Sequence, residues 1–369
     1  MQLPIPWPVS PMLAKAVPDV PEPDEKGGPY VYEPKWDGFR CIVARDGDEV
    51  ELGSRGEKPL TRYFPEVVEA VRRLLPERIV IDAEIVVRAG DRGSQKLDWE
   101  ALAQRIHPAE SRIRRLAAET PAEIVAFDLL ALGDESLLEV PFRDRRARLE
   151  AALSHLAAGD PVHLTRITDD IAVAREWFET FEGAGLDGVV AKPLDAVYQQ
   201  GKRAMLKIKH HRSADVVVYG YRVHKSGEGV GSLLVGVYAE APEEWRGFDP
   251  DAPEGLALVP VGGIVSLPDV MRKALVAELE PLTQKDQAGG LVRMGGAPSR
   301  FAAAGKDSSF VPLRPDLVVE VAFDQLEGHR FRHAVSLVRW RPDREPTSCT
   351  LDQIDKAGAY DLGQVLVTG

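Results

Sequence analysis

The stretch YVYEPKWDGFRC, residues 30–41, sets Glu33, Lys35, Asp37 and Arg40 among the apolar and aromatic Val31, Tyr32, Trp36 and Phe39. A half-buried strand does not ordinarily carry so much charge. A lysine at the end of a buried strand becomes a nucleophile when desolvation and nearby positive charge favour its neutral amine. The Asp37-Gly38 pair that follows permits a sharp turn that brings backbone close to a phosphate. A solvated hairpin edge would hold the same charges, and residue chemistry alone leaves both readings open.

Working outward, the residues before this stretch, PWPVSPMLAKAVPDVPEPDEKGGP, are rich in Pro and Gly and read as a loosely attached lead-in. From about residue 29, short strands alternate with amphipathic helices. Residues 31–55 read as strands with an Asp-Gly turn at Asp46-Gly47. TRYFPEVVEAVRRLLP reads as a helix capped by Thr61, with Val67, Val71 and Leu74 on one face. IVIDAEIVV and EIVAFDLLAL are buried strands by composition and length, and helices are expected at DWEALAQRI, RDRRARLEAALSHLA and IAVAREWFETFEGAG, with strands again at GVVAK and AMLKIKH. At HHRSAD, residues 210–215, the texture changes to five strands and one helix, PDVMRKALVAELEPL, which suits a small closed barrel such as an OB-fold.

With 369 residues, 44% of them hydrophobic and 28% charged, the chain has room for two globular domains. No apolar run approaches the ~20 residues of a membrane span. MQLPIPWPV lacks the basic start of a secretory signal, so a cytoplasmic protein is expected. Cys41 and Cys349 belong to no metal or disulfide pattern and read as reduced thiols. The net charge of −12 is uneven: 24 basic and 35 acidic residues over 1–191 give −11, while 21 and 20 over 192–345 give +1. The second half therefore has the balance to present a basic face to nucleic acid.

The pattern K-x-D-G-x-R at Lys35–Arg40 resembles motif I of the covalent nucleotidyltransferases: ATP-dependent DNA ligases, RNA ligases and mRNA capping enzymes. The family's further motifs follow in order. SRGEKPLTRYFPE is similar to the segment carrying a ribose-binding arginine, here Arg55; IDAEIV to motif III, whose Glu84 would serve ribose and metal; FDLLAL to motif IIIa, whose Phe127 would stack on the base. DGVVAK is similar to motif IV, with Asp187 as a metal carboxylate and Lys192 toward the nucleotide. LKIK is similar to motif V, with Lys207 and Lys209 reaching the α-phosphate, and Arg203 just before it is also expected toward the nucleotide. RWRPDR, with Arg339, Arg341, Asp343 and Arg344, is similar to motif VI, which contacts pyrophosphate or DNA. By the same resemblance Lys35 is the catalytic nucleophile, and Glu33 and Arg40 are AMP-binding residues.

Each of these residues also has a plainer reading. Glu84 and Asp187 sit beside apolar strands, where an unpaired carboxylate is costly, so a basic partner would serve as well as a metal. Phe127 suits a core, Lys207 and Lys209 a solvated strand face, and Glu33 a surface acid. Three positions depart from the family: Asp187 stands where Glu is common, Arg344 where Lys is usual, and Arg332–Ala334 reads RHA in place of Arg-His-Pro. GEGVGS at 227–232 invites a phosphate-loop reading, but a strand follows it and a barrel hairpin fits better. His329 and His333 read as barrel-surface residues. The run HRFRHAVSLVRWRPDR interleaves arginines with Phe331 and Trp340, as a phosphate-backbone contact would, with a salt-bridged barrel rim as the alternative.

The expected fold is α+β: an adenylation (nucleotidyltransferase) domain of mainly antiparallel sheets over 1–210, a C-terminal OB-fold β-barrel over 211–345 and a tail over 346–369. The resemblance implies an ATP-dependent DNA ligase that seals 5′-phosphate/3′-hydroxyl nicks through a lysyl-AMP intermediate, with ATP and Mg²⁺ (or Mn²⁺) as cofactors. An mRNA capping-type guanylyltransferase, an RNA ligase and a non-catalytic DNA-binding protein on the same scaffold are the alternatives. Only 34 residues precede Lys35. That points to compact stand-alone bacterial ligases of the LigC type, and hence to DNA repair. The expected partners are nicked double-stranded DNA and repair proteins such as a primase-polymerase or an end-binding protein. No membrane is involved, and a nucleoid-associated monomer is expected.

Overall fold

Residues 30–41 leave one sheet and enter another. The computed structural model describes residues 1–366 apart from 26, 107–108, 211, 241–248, 250–251, 286–289, 296–308, 325 and 355–357. Residues 1–209 and 357–369 form one unit and residues 210–356 a second.

In the first unit the chain runs β1 (Leu13–Ala16), β2 (Tyr30–Pro34), β3 (Phe39–Asp46), β4 (Glu49–Ser54), α1 (Pro65–Leu74), β5 (Arg78–Ala89), β6 (Lys96–Leu97), α2 (Trp99–Gln104), α3 (Glu110–Glu119), β7 (Ala122–Leu132), β8 (Glu135–Ser136), α4 (Phe142–Leu153), β9 (Val162–Leu164), α5 (Ile171–Thr180), β10 (Val189–Pro193) and β11 (Arg203–Ile208). One sheet has the order β1-β11-β10-β2, and the other runs β4-β3-β5-β7-β8 with β6 on β5 and β9 on β7. All pairings are antiparallel except β1 with β11 and β7 with β9.

Strand periodicity of two then assigns the faces. Val43 of β3 and Ile79, Ile81 and Ile85 of β5 pack on α1 and α4 through Phe64, Val67, Val71 and Leu149. Ile42, Ala44 and Val80 point the other way, into a cluster with Met205 and Tyr198. The far face of the first sheet, with Tyr32, Val189 and Ala191, packs against Ala174, Trp177 and Phe181. The two sheets therefore share an inner space, apolar at one end and charged at the other.

Four details differ from the sequence reading. The lead-in is packed: Ile5, Val9 and Met12 are buried between the sheets, and β1 pairs with β11. Thr61 is not a cap, because α1 starts at Pro65 after Phe64, and the Thr61 hydroxyl accepts from Leu52 N at 3.0 Å instead. The β3–β4 turn centres on Gly47-Asp48, one residue later than expected, with Gly47 at φ +62°. Helix α3 was not anticipated.

In the second unit β12 (Arg212–Val223), β13 (Val230–Ala239), β14 (Ala257–Ile264), α6 (Asp269–Leu279), β15 (Val311–Phe323), β16 (Leu326–Glu327), β17 (Arg330–Phe331) and β18 (Ser336–Trp340) follow in turn. Five of these strands form an antiparallel sheet, β14-β13-β12-β15-β18, and a parallel bridge between Ile264 and Val335 joins its two edges. This order, with a helix after the third strand, is OB-like. GEGVGS lies in the β12–β13 hairpin, with Gly227 and Gly229 at positive φ. The segment expected as a tail from residue 346 is divided: residues 346–356 belong to the second unit, and the following segment, with the short helix α7 (Leu362–Leu366), packs on the first. Among the described residues no helix is long and apolar enough to cross a membrane.

Candidate active site

The charged end of the inter-sheet space is a cleft of about 870 Å³. Every site residue expected within residues 1–209 lines it: Glu33, Lys35, Arg40, Arg55, Glu84, Phe127, Asp187, Lys192, Arg203, Lys207 and Lys209. Period two explains the convergence, since Glu33 on β2, Lys192 on β10 and Arg203 and Lys207 on β11 face Arg40 on β3 and Glu84 on β5.

Lys35 lies in the link between the two sheets, and its backbone is fixed on both sides. Lys35 N donates to Gly188 O at 2.8 Å, and Asp187 N donates to Lys35 O at 2.9 Å. Two glycines make this approach feasible. A Cβ at Gly38 would lie 2.1 Å from Ile85 O, and one at Gly188, whose φ is +127°, would lie 2.0 Å from Ile208 O. The solvated-edge reading of Lys35 is thereby set aside: its side chain is 19% exposed and its Nζ sits 2.5 Å from Asp187 Oδ2.

Asp187 is shared. Its Oδ2 also receives Lys209 Nζ at 2.7 Å. Burial opposes its charge, yet Lys35 and Lys209 together hold its carboxyl below the usual range. Glu84 goes the other way. Burial raises its carboxyl to about 7 despite Arg40 and Lys35, and Gly38 N donates to it at 3.1 Å. Burial, then the adjacent Lys209 and Lys35 ammonium groups, lower the Lys207 ammonium.

At the other wall Glu33 is 3% exposed, with Lys192 Nζ 2.7 Å from its Oε2. Lys192 also donates to Phe127 O at 3.0 Å and lies over the Phe127 ring, 4.8 Å from the centroid. Glu33 Oε1 receives no hydrogen bond among the described residues. Burial raises the Glu33 carboxyl, with Lys192 and then Arg146 pulling it back. Arg40 is committed to a bidentate pair with Asp82, at 2.6 Å through both Nε and Nη2, and Nη2 also donates to Met12 O at 3.0 Å. Its guanidinium lies 4.7 Å from the Phe127 centroid, so the ring expected to stack on a base touches two cations.

Sequence reasoning missed this support. Asp82 and Tyr198, joined at 2.6 Å, hold Arg40. Asp128 and Arg145, both buried and bidentate at 2.8 and 2.9 Å, fix β7 beside Phe127 to α4. Trp36 Nε1 donates to Thr165 Oγ1 at 2.8 Å. The one available signal was charge inside apolar runs, as in IDAEIV and AFDLL, because buried charge demands a partner.

Arg339, Arg341, Asp343 and Arg344 lie in the second unit, at and after β18. Arg341 grips Asp215 at 3.0 and 2.9 Å and Asp343 at 2.9 Å, and Arg344 reaches the same Asp215 at 2.9 Å. Arg339 pairs with Glu320 at 2.7 Å. The Arg341 hydrogen bond holds the Asp343 carboxyl down at about 2.

Residues 11–209 match the family model described as ATP dependent DNA ligase domain. The whole chain is similar to DNA ligase C1 of Mycolicibacterium smegmatis, with 52% identity over 371 residues and 99% of each chain covered. It is similar to DNA ligase C of Mycobacterium tuberculosis at 51% over 379 residues, again covering 99% of each. Among solved structures, a Lig E DNA ligase described as a minimal DNA-binding scaffold shares the fold at 17% identity and a TM-score of 0.50, covering 90% of this chain and 99% of that one.

Proposed function

The chain belongs to the ATP-dependent DNA ligases, and on that premise we propose that Lys35 carries the adenylate from ATP to DNA. The observation that supports it most is the seating of Lys35 Nζ against Asp187, in a cleft lined by eight cationic side chains and four carboxyl groups.

Attack on the α-phosphorus of ATP requires a lone pair on Lys35 Nζ, so the contact with Asp187 Oδ2 at 2.5 Å must be given up and the Nζ proton released to solvent before the amine reacts. The N–P bond forms as the P–O bond to pyrophosphate breaks, leaving lysyl-AMP. AMP then passes to the 5′-phosphate at a nick, and the 3′-hydroxyl displaces it to close the strand. Each step is an in-line displacement at phosphorus, where positioning and charge neutralisation carry most of the catalysis. Lys207 and Lys209 provide that charge, with Arg55 and Arg203 at the exposed side of the cleft. Glu33 Oε1, a buried acceptor lacking a donor among the described residues, suits the adenine amino group.

Among the described residues no three His, Cys, Asp or Glu side chains cluster to hold a metal by themselves. Glu84 and Asp187 nevertheless suit Mg²⁺, which commonly binds one or two carboxylates and completes its shell with phosphate and water. When bound there, the ion would supply positive charge to the phosphates of ATP. Its charge would also favour the ionised form of Glu84. The motif VI cluster of Arg339, Arg341, Asp343 and Arg344 is assigned to pyrophosphate or DNA. A role in repair, as a cytoplasmic monomer working with a primase-polymerase or an end-binding protein, extends the reading.

Purified protein with a nicked, 5′-phosphorylated duplex tests it. Sealing with ATP and not with GTP is expected. A protein–GMP adduct would favour a guanylyltransferase, and DNA binding without nucleotide transfer would favour a non-catalytic scaffold.

A further inference from the structure

Arg146 of α4 does not line the cleft, yet it braces the chain on both sides of Lys35. Its Nε is held by Glu150 Oε1 at 2.7 Å and its Nη2 donates to Thr165 O at 2.8 Å. The hydroxyl of that same Thr165 accepts from Trp36, the residue after Lys35. On the other side Arg146 Nη1 stands 3.8 Å from Glu33 Oε1, two residues before Lys35. Both atoms are buried, and neither has a hydrogen-bond partner among the described residues. The side chain is only 8% exposed. A buried guanidinium nitrogen and a buried carboxylate oxygen 3.8 Å apart, each without a hydrogen bond among the described residues, interact through charge with little screening from bulk solvent.

We infer that Arg146 is a positioning residue for purine discrimination, keeping Glu33 an ionised acceptor for the 6-amino group of adenine. The inference rests on the reading that the base of ATP enters beside Glu33. Adenine presents a donor at its 6-position and guanine an acceptor. An ionised carboxylate only accepts, whereas a protonated one also donates. The charge on Glu33 therefore decides which purine fits. The charged groups facing it are Lys192 from β10, Arg146 from α4 and Asp128 from β7, the last opposing its ionisation. Lys192 is shared with Phe127 O. Without the Arg146 charge, burial takes a larger share of the balance and the proton stays on Glu33 to higher pH. Guanine then finds a donor where it met a repelling carboxylate.

The test is single-turnover formation of the protein–nucleotide adduct from labelled ATP and labelled GTP, from about pH 5 to pH 8. Wild type, Arg146→Gln, Arg146→Lys and Glu33→Gln are compared, with thermal melts alongside. Arg146→Gln should cut the ATP-over-GTP preference by about tenfold or more, and shift the pH at which the preference collapses upward. Arg146→Lys should keep most of it, because it keeps the charge. A preference and pH profile unchanged in Arg146→Gln, while Glu33→Gln loses the preference, would overturn the role of Arg146 and leave the reading of Glu33 intact. Preference retained in Glu33→Gln would remove that reading, and the inference with it. Should Arg146→Gln not fold, a wild-type preference flat across the whole range would count against the inference.

Discussion

The cleft of the first unit and the arginine cluster of the second carry the same residue types in opposite states of balance. Around the cleft, eight cationic side chains face four carboxyl groups, and one carboxylate oxygen, Asp187 Oδ2, serves two lysines. In the cluster, Arg339, Arg341 and Arg344 are matched by Glu320, Asp215 and Asp343. Asp82 answers Arg40 from behind the lining, so the surplus positive charge sits on the exposed Arg55, Lys58 and Arg203 and the half-buried Lys207, and the cleft is suited to be completed by a polyphosphate. The balanced cluster is complete already. It must exchange carboxylates for phosphates before it can grip pyrophosphate or DNA, and that exchange lowers its net gain.

This contrast can be broken by mutation, most sharply in the cleft. Lys207→Ala removes a cation with no carboxylate of its own among the described residues. Adduct formation measured by rapid quench should slow by roughly 10²–10³ fold, the scale for loss of one charge-stabilising group. A change under threefold would mean that the excess charge is not catalytic.

A middle-sized effect concerns Glu84. Its folded carboxyl titrates near 7 against an ordinary 4.5, so the folded state binds a proton that the unfolded state has lost between those values. The resulting stability is fully present below about pH 4.5 and is lost as pH rises through about 7. The melting temperature of the ligand-free protein should therefore decline across this window, and Glu84→Gln should flatten the decline. Equal pH slopes for the two proteins would show that Glu84 ionises normally and that the cleft is less desolvated than its geometry indicates.

The smallest effect is expected in the balanced cluster. Arg344→Lys restores the residue usual in motif VI and keeps one positive charge near Asp215. Sealing should change by no more than a few fold. A loss comparable to that of Lys207→Ala would show that the cluster acts as strongly as the cleft, and would remove the distinction between them.

Much of this arrangement was legible in the chain itself, for a specific reason. Lys35, Glu84, Asp187 and Lys207 stood out because they fall on motifs that resemble the family's in order, while alternation by itself placed only Lys207 and Lys209 on one strand face. The OB-like unit was legible from five apolar runs around one helix. What stayed hidden depends on partners far apart in sequence. Val9 and Met12 look like lead-in because Pro surrounds them, and only the space between the sheets, closed by Met205 and Tyr198, gives them a core. Thr61 has the local look of a cap, but Pro65 sets the helix start and the hydroxyl turns to β4. Arg40 reads as a ligand for nucleotide, yet Asp82, 42 residues on, claims it. Arg146 gave no signal, since one of four arginines in RDRRARLEAAL resembles any solvated helix face.

The central claim is that one amine in an electropositive cleft takes up the adenylate. Intact-protein mass spectrometry after incubation with ATP and Mg²⁺, followed by peptide mapping, addresses it directly. The account predicts a single AMP adduct on the peptide holding Lys35, discharged when nicked DNA is added and missing from Lys35→Ala. An adduct mapped to any other lysine, or nick sealing retained by Lys35→Ala, would contradict it.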